Sequence, residues 1–150
     1  MIFLIGLSIV LIDQIIKMLV TTNISYGTSI GNLVRITNVS NTGMAYSIGQ
    51  NSTIIIAILN IVIIYLLLRF MIKNYNNISN IVKISLMMVI SGGTSNLIDR
   101  IIRGYVVDYI DINQIFSYPI FNIADISVVL GVVLIIGNLL IKTIKNQEKA

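Results

Sequence analysis

Four stretches of this chain, at about residues 2–20, 53–72, 78–98 and 123–141, stay apolar long enough to cross about 30 Å of hydrocarbon as helices rising about 1.5 Å per residue. No other feature narrows the fold as much. In hydrocarbon a segment must satisfy its own backbone hydrogen bonds, and a helix does so without a partner. Hydrophobic residues make up 56% of the 150 and charged residues 11%, which is more apolar material than one soluble core of this size takes up. The sequence therefore predicts an all-α integral membrane protein, a single membrane-embedded domain over 1–150 with four transmembrane helices.

The first apolar stretch has features of a signal peptide, but no basic residue precedes it and Asp13, Gln14 and Lys17 interrupt it, so a retained helix is expected. Four spans put the N-terminus, the Lys73 to Lys83 connection and the C-terminal tail on one side. That side carries Arg69, Lys73, Lys83, Lys142, Lys145 and Lys149, against Lys17, Arg35, Arg100 and Arg103 on the other. The positive-inside rule then predicts both termini in the cytoplasm. These flanking charges account for the net charge of +4 and call for no nucleic-acid partner. The two longer connections, 21–52 and 99–121, fall outside and are where function is expected. In the first, Gly27, Gly31, Gly43 and Gly49 break helix, and the alternation Leu33, Arg35, Thr37, Val39 predicts a small extracytoplasmic β-containing segment between helices 1 and 2.

Chemistry is restricted by what is missing. With no cysteine and no histidine there is no thiol nucleophile, no sulfur ligand and no imidazole base. A serine–lysine hydrolase is conceivable, yet the lysines of the 73–83 connection and the C-terminal tail read as topology signals. Carboxylates are left as the acid and base candidates. Asp13, Asp99, Asp108 and Asp125 lie in or beside the apolar stretches, where a carboxylate costs roughly 2.5–3.5 kcal/mol at the centre of a span, so a functional reason for them is expected. With the predicted topology all four gather near the outer face.

Five stretches carry the more specific signal: Asp13-Gln-Ile-Ile-Lys17, Asn41-Thr-Gly-Met-Ala-Tyr46, Gly92-Gly-Thr-Ser-Asn-Leu-Ile-Asp-Arg100, Val106-Val-Asp-Tyr109 and Phe121-Asn-Ile-Ala-Asp125. In order and spacing they resemble the motifs of bacterial lipoprotein signal peptidase, also called signal peptidase II, across nearly the whole chain. The resemblance implies an aspartyl endopeptidase of the bacterial cell membrane that removes the signal peptide from diacylglyceryl-modified prolipoproteins, cutting on the N-terminal side of the lipidated cysteine. It implies Asp108 and Asp125 as the catalytic pair and Asn41, Gly43, Asn96, Arg100 and Asn122 as substrate-binding residues. It also implies membrane lipids and a cyclic-peptide inhibitor such as globomycin as partners, and a hydrolase that needs neither a metal nor an organic cofactor.

Physical chemistry agrees with a carboxylate pair, since an aspartyl protease needs two carboxyls sharing a proton around one water. Asp125, in the first turn of the fourth helix, is expected to ionise first, and Asp108, in its apolar Val-Val-Asp-Tyr setting, to stay neutral. Asn122 is expected on the helical face of Asp125, and Asn96 and Arg100 on one face of the third helix. Asp13 and Lys17, at i and i+4, are expected to pair as structural support, with Asp99 bracing Arg100 or the loop. Asp111 reads as a solvated or helix-ending charge, and Tyr105, Tyr109 and Tyr118 as interfacial anchors.

The chain departs from the family pattern at Tyr109, where Phe is usual, at Ser95, where Gly is usual, and at Met44, where Ala is usual. Met44 and Ser95 are expected to narrow the pocket and so to bear on substrate preference and inhibitor sensitivity. Two other readings are a catalytically inactive paralogue that binds lipoprotein precursors, and a small proton or cation transport subunit. The transport reading predicts carboxylates spread through membrane depth, whereas here they collect at one face. A self-contained pair permits a monomer.

Overall fold

A computed structural model describes residues 2–24, 28–30, 33–43, 52–115 and 117–147. Helix α1 (Ile2–Asn23) is followed by strands β1 (Thr28–Ile30) and β2 (Val34–Asn41). Helix α2 (Thr53–Lys73) and helix α3 (Asn80–Arg103) come next, then strand β3 (Val106–Asp111) and helix α4 (Ile123–Gln147). All four helices are long and apolar enough to cross a membrane, and the chain is a multi-pass membrane protein. The helices outrun the apolar stretches. The first continues to Asn23, the third to Arg103 and the fourth to Gln147, because polar residues at the ends of a span keep the helical hydrogen-bond pattern once outside hydrocarbon.

Large apolar side chains cover the outside of the bundle, among them Leu7 and Leu11 of α1, Ile54 and Ile58 of α2, and Val129 and Val133 of α4. In water such a surface would aggregate, and in lipid it is the expected exterior. The inside is different. α3 packs against the other three helices, and its centre reads Ser91-Gly-Gly-Thr-Ser-Asn96, small and polar rather than greasy. Association in lipid gains little from hydrophobicity and rests on close approach and interhelical hydrogen bonds. A Cβ built on Gly92 would stand 2.3 Å from the Ala124 carbonyl oxygen of α4, and one on Gly131 2.6 Å from the Ser85 carbonyl oxygen of α3. The two helices therefore touch backbone to backbone at two levels. Two apolar clusters close the ends of the bundle, Met71 with Leu86, Met87 and Ile90 at one end, Val20 with Val107 and Tyr109 at the other.

The strands form one antiparallel sheet in the order β1-β2-β3. β2, expected from its alternation, runs Val34–Asn41, with Leu33 left in the preceding turn. β3 was not expected, and it lies between α3 and α4 rather than between α1 and α2. Val106 to Ile110 is apolar enough to read as part of a buried segment, and only pairing with β2 sets it as a strand. The register places Asn41 opposite Val106 and Val39 opposite Asp108, with an irregularity between Ile36 and Val39. Gly104 ends α3 in the left-handed conformation at φ 79°, which a glycine adopts without a Cβ penalty and which turns the chain directly into β3. The far edge of β3 pairs with Phe121 through Ile110, so the residue before Asn122 is tied to the strand that carries Asp108.

Gly92 and Gly137, both helical, give a direct test of the packing. Ala at Gly92 drives a methyl into the backbone of Ala124, next to Asp125, and is expected to cost about 1–3 kcal/mol, outweighing the gain in helix propensity. Ala at Gly137 meets nothing within 4 Å. Thermal unfolding in detergent is expected to show a lower midpoint for Gly92→Ala and an unchanged or slightly higher one for Gly137→Ala.

Candidate active site

The carboxylates of Asp108 and Asp125 are brought together by one residue, Asn122. Its side-chain Nδ2 donates to Asp108 Oδ1 at 2.8 Å, while its backbone N–H donates to Asp125 Oδ2 at 3.1 Å. In return the Asp125 N–H donates to Asn122 Oδ1 at 2.9 Å. Asn122 thus caps α4 and Asp125 answers it from the first turn, a reciprocal arrangement of the capping-box kind. Asn122 is not on the helical face of Asp125, as expected, but at the cap. The cause is local, because an Asn side chain competes for backbone donors and is favoured where a helix starts.

Each carboxylate has a second amide partner. Asn41, at the end of β2, donates through Nδ2 to Asp108 Oδ2 at 2.8 Å, and Asn96 of α3 donates to Asp125 Oδ1 at 2.7 Å. Asp108 is buried. Burial first, then the negative charge of Asp125, push its carboxyl up to about 7, against the opposing influence of Asn41, Lys17 and Asn122. It is therefore largely protonated below neutral pH.

Behind this pair lies a fully buried charge cluster. Lys17 Nζ stands 2.7 Å from Asp13 Oδ2 and 2.8 Å from Asp99 Oδ2, and donates to Asn96 Oδ1 at 2.9 Å. Asn96 Oδ1 also accepts from Asn122 Nδ2 at 3.2 Å. The expected pairing of Asp13 with Lys17 is present, and Lys17 does more, since it fixes the amide that holds Asp125. Asp99 braces the loop, accepting from the Val107 N–H at 3.2 Å, but the arginine it pairs with, besides Lys17, is Arg103, one turn along α3, and not Arg100.

Arg100 instead donates to the Gly43 carbonyl oxygen at 2.9 Å, and the Gly43 N–H donates to Asn41 Oδ1 at 2.9 Å. Asn41, Asn96 and Asn122 thus hydrogen-bond the two carboxylates, and Gly43 and Arg100 join this network through Asn41. Two other expectations are corrected. Tyr109 is 2% exposed, and its hydroxyl donates to Asp13 Oδ1 at 2.9 Å, so it is no interfacial anchor. Ser95 is fully buried and donates to Asp13 Oδ2 at 2.7 Å, behind the site instead of in the pocket. Asp111 holds the turn after β3, accepting from the Asn113 N–H and side chain, and this keeps its carboxyl below the usual range. Met44 falls outside the described residues.

A cavity of about 730 Å³ opens in front of the carboxylates. Asn41, Asn96, Arg100, Asp108 and Asp125 form its polar end, while Ile56, Leu59 and Ile63 of α2 and Val128 and Val129 of α4 form apolar walls on either side of α3. Sequence reasoning passed over Asn60, which lines this cavity and donates to the Gly93 carbonyl oxygen at 2.9 Å. It is the lone amide within a long apolar run, and a polar residue at such depth was itself the signal. Gln14 and Arg103 were read as interruption and topology charge, and both hydrogen-bond Asp99.

Comparison with known proteins gives one consistent result. The profile of the family described as signal peptidase (SPase) II matches residues 5–141. A lipoprotein signal peptidase of Fusobacterium nucleatum is 40% identical over 133 residues, covering 87% of this chain and 80% of that protein. Two solved structures, each described as a bacterial membrane enzyme, superpose with TM-scores of 0.86 and 0.80 at 35% and 37% identity. They cover 95% and 93% of this chain and 88% and 92% of their own. With this match in sequence and fold, and with Asp108, Asn122 and Asp125 drawn together at the mouth of an apolar cavity, the chain belongs to the signal peptidase II family.

Proposed function

We propose that the protein is a lipoprotein signal peptidase that cuts diacylglyceryl-modified prolipoproteins on the N-terminal side of their lipidated cysteine, with Asp108 and Asp125 as its catalytic dyad. One observation carries the reading: Asn122 hydrogen-bonds both carboxyls, one of which burial pushes up to about 7, at the polar end of an otherwise apolar cavity. That is the arrangement an aspartyl peptidase needs to hold one water between an acid and a base.

The roles follow from the surroundings. Asp125, in the first turn of α4 with its oxygens accepting from the Asn96 side chain and the Asn122 N–H, is assigned as the ionised base that removes a proton from water. Asp108, buried and neutral, donates to the scissile carbonyl oxygen as the water adds to its carbon. The resulting diol collapses as Asp125 passes its proton to the amide nitrogen, the C–N bond breaks and Asp108 takes back the proton from the diol oxygen. The two groups titrate as a pair, so the working state is the singly protonated one.

Substrate geometry is read from the cavity. The apolar walls of α2 and α4 suit a signal-peptide helix and acyl chains, and the polar end suits an unwound stretch at the scissile bond. Arg100 Nε is buried without a hydrogen-bond partner among the described residues, which leaves a donor for a substrate carbonyl. The excess of basic residues at the α2–α3 connection and the end of α4 supports cytoplasmic termini and a site near the outer face. The same cavity is where a cyclic peptide such as globomycin would compete, and a monomer suffices because one chain supplies both carboxyls.

Electrophoretic processing of a diacylglyceryl-modified prolipoprotein in detergent tests the reading. Wild type is expected to cleave, and Asp108→Asn and Asp125→Asn to lose activity by about three orders of magnitude or more; cleavage by either variant at the wild-type rate sinks the dyad.

The rate should also depend on pH in a defined direction. Cleavage is expected to fall as pH rises through about 7, where Asp108 loses its proton. Asn41→Ala removes a hydrogen bond that favours the charged form, so its falling limb is expected at higher pH. A flat profile above neutrality contradicts the assignment of Asp108 as the acid.

A further inference from the structure

Asp13 is fully buried and does not line the cavity, yet it is among the most heavily hydrogen-bonded groups of the described residues. Its Oδ2 accepts from Ser95 Oγ at 2.7 Å and pairs with Lys17 Nζ at 2.7 Å. Its Oδ1 accepts from the Tyr109 hydroxyl at 2.9 Å and from the Ala124 N–H at 3.3 Å. Each of the two hydroxyls is fixed from a second direction, Ser95 by Gln14 Nε2 at 3.0 Å and Tyr109 by the Ile123 N–H at 3.1 Å. Tyr109 adjoins Asp108 in β3, and Ile123 and Ala124 immediately precede Asp125 in α4. One carboxylate on α1 therefore holds the backbone on both sides of the dyad.

Ser95 and Tyr109 are also two of the positions at which the chain departs from the motif pattern of Gly and Phe, and each departure adds one hydroxyl. Both hydroxyls go to the same carboxylate, one to each oxygen. Neither residue lines the cavity. Burial, then the charge of Asp13, push the Tyr109 hydroxyl well above its ordinary range, so it remains a donor. We propose that Ser95 and Tyr109 are a matched pair of positioning residues, gripping the two oxygens of Asp13 so that α1 holds β3 and the start of α4, and with them Asp108 and Asp125, at the spacing one water requires. The inference rests on the dyad reading above and adds to it the groups that set its geometry.

A carboxylate held at both oxygens cannot rotate, and removing either hydroxyl loosens it, since that oxygen keeps only Lys17 or the Ala124 N–H. The two substitutions should therefore cost less together than the product of their separate effects, as expected for groups acting through one partner. Misplacement of reacting groups by a fraction of an ångström lowers turnover rather than binding.

The test is steady-state cleavage of a diacylglyceryl-modified prolipopeptide by Ser95→Ala, Tyr109→Phe and the double variant, with rates normalised to monodisperse protein and Asp108→Asn as the reference. Each single substitution is expected to lower kcat about tenfold and leave KM within about twofold, with the double variant well short of a hundredfold loss. Wild-type kcat in both single variants, a loss confined to KM, a loss that tracks the folded fraction, or effects that multiply independently would overturn the proposal. Should Tyr109→Phe fail to fold, Ser95→Ala decides by the same kcat and KM criteria. Cleavage by Asp108→Asn removes the dyad reading and this inference with it, whereas an inactive Asp108→Asn beside unimpaired Ser95→Ala and Tyr109→Phe removes only the inference.

Discussion

The site depends on a lysine ammonium buried between two carboxylates inside a membrane bundle. Lys17, Asp13 and Asp99 are each fully buried, and moving one such ion out of water costs several kcal/mol even after relaxation. The cluster persists because Lys17 and Arg103 balance Asp13 and Asp99, and because amides, hydroxyls and backbone N–H groups satisfy the remaining lone pairs. Pairing of this kind fixes directions as well as distances. From Lys17 the contacts run to Asn96 and then Asp125, and from Asp99 to the backbone of β3 beside Asp108.

A membrane bundle built this way uses polar residues where a soluble protein uses a greasy core. α3 supplies Gly92 for contact with α4 and the Ser95, Asn96 and Asp99 side chains for hydrogen bonding. Apart from the two buried clusters at the ends of the bundle, the apolar side chains are left for the exterior and for the cavity walls on α2 and α4. Under the proposed function, such a cavity would take a substrate from within the bilayer, with its reactive bond at the polar end.

How much of this the sequence disclosed varies with the kind of interaction. The four helices were legible because apolar length is a local property, and Asp13 with Lys17 because i,i+4 spacing puts them on one face. The Asn122 cap was legible in principle, since Asn-x-x-Asp at a helix start is a local pattern, but Asn122 was placed on the helix. β3 was hidden, because a short apolar run becomes a strand only through its partner, and β2 lies 65 residues or more away in the chain. Tyr109 and Ser95 were misread for the same reason. Nothing near either in sequence points to Asp13, which meets them across 96 and 82 residues.

The central claim is that the buried cluster around Lys17 holds the dyad in place, and Lys17→Met tests it most directly by keeping the length of the side chain while removing its charge. Asp13 and Asp99 would lose their shared cation, a change expected to cost about 3–5 kcal/mol and to leave Asn96 unanchored. Thermal unfolding and prolipoprotein cleavage, measured on the same detergent-solubilised sample, are predicted to fall together, with little or no turnover in the protein that remains folded. A Lys17→Met protein that unfolds at the wild-type temperature and cleaves at the wild-type rate would contradict the account.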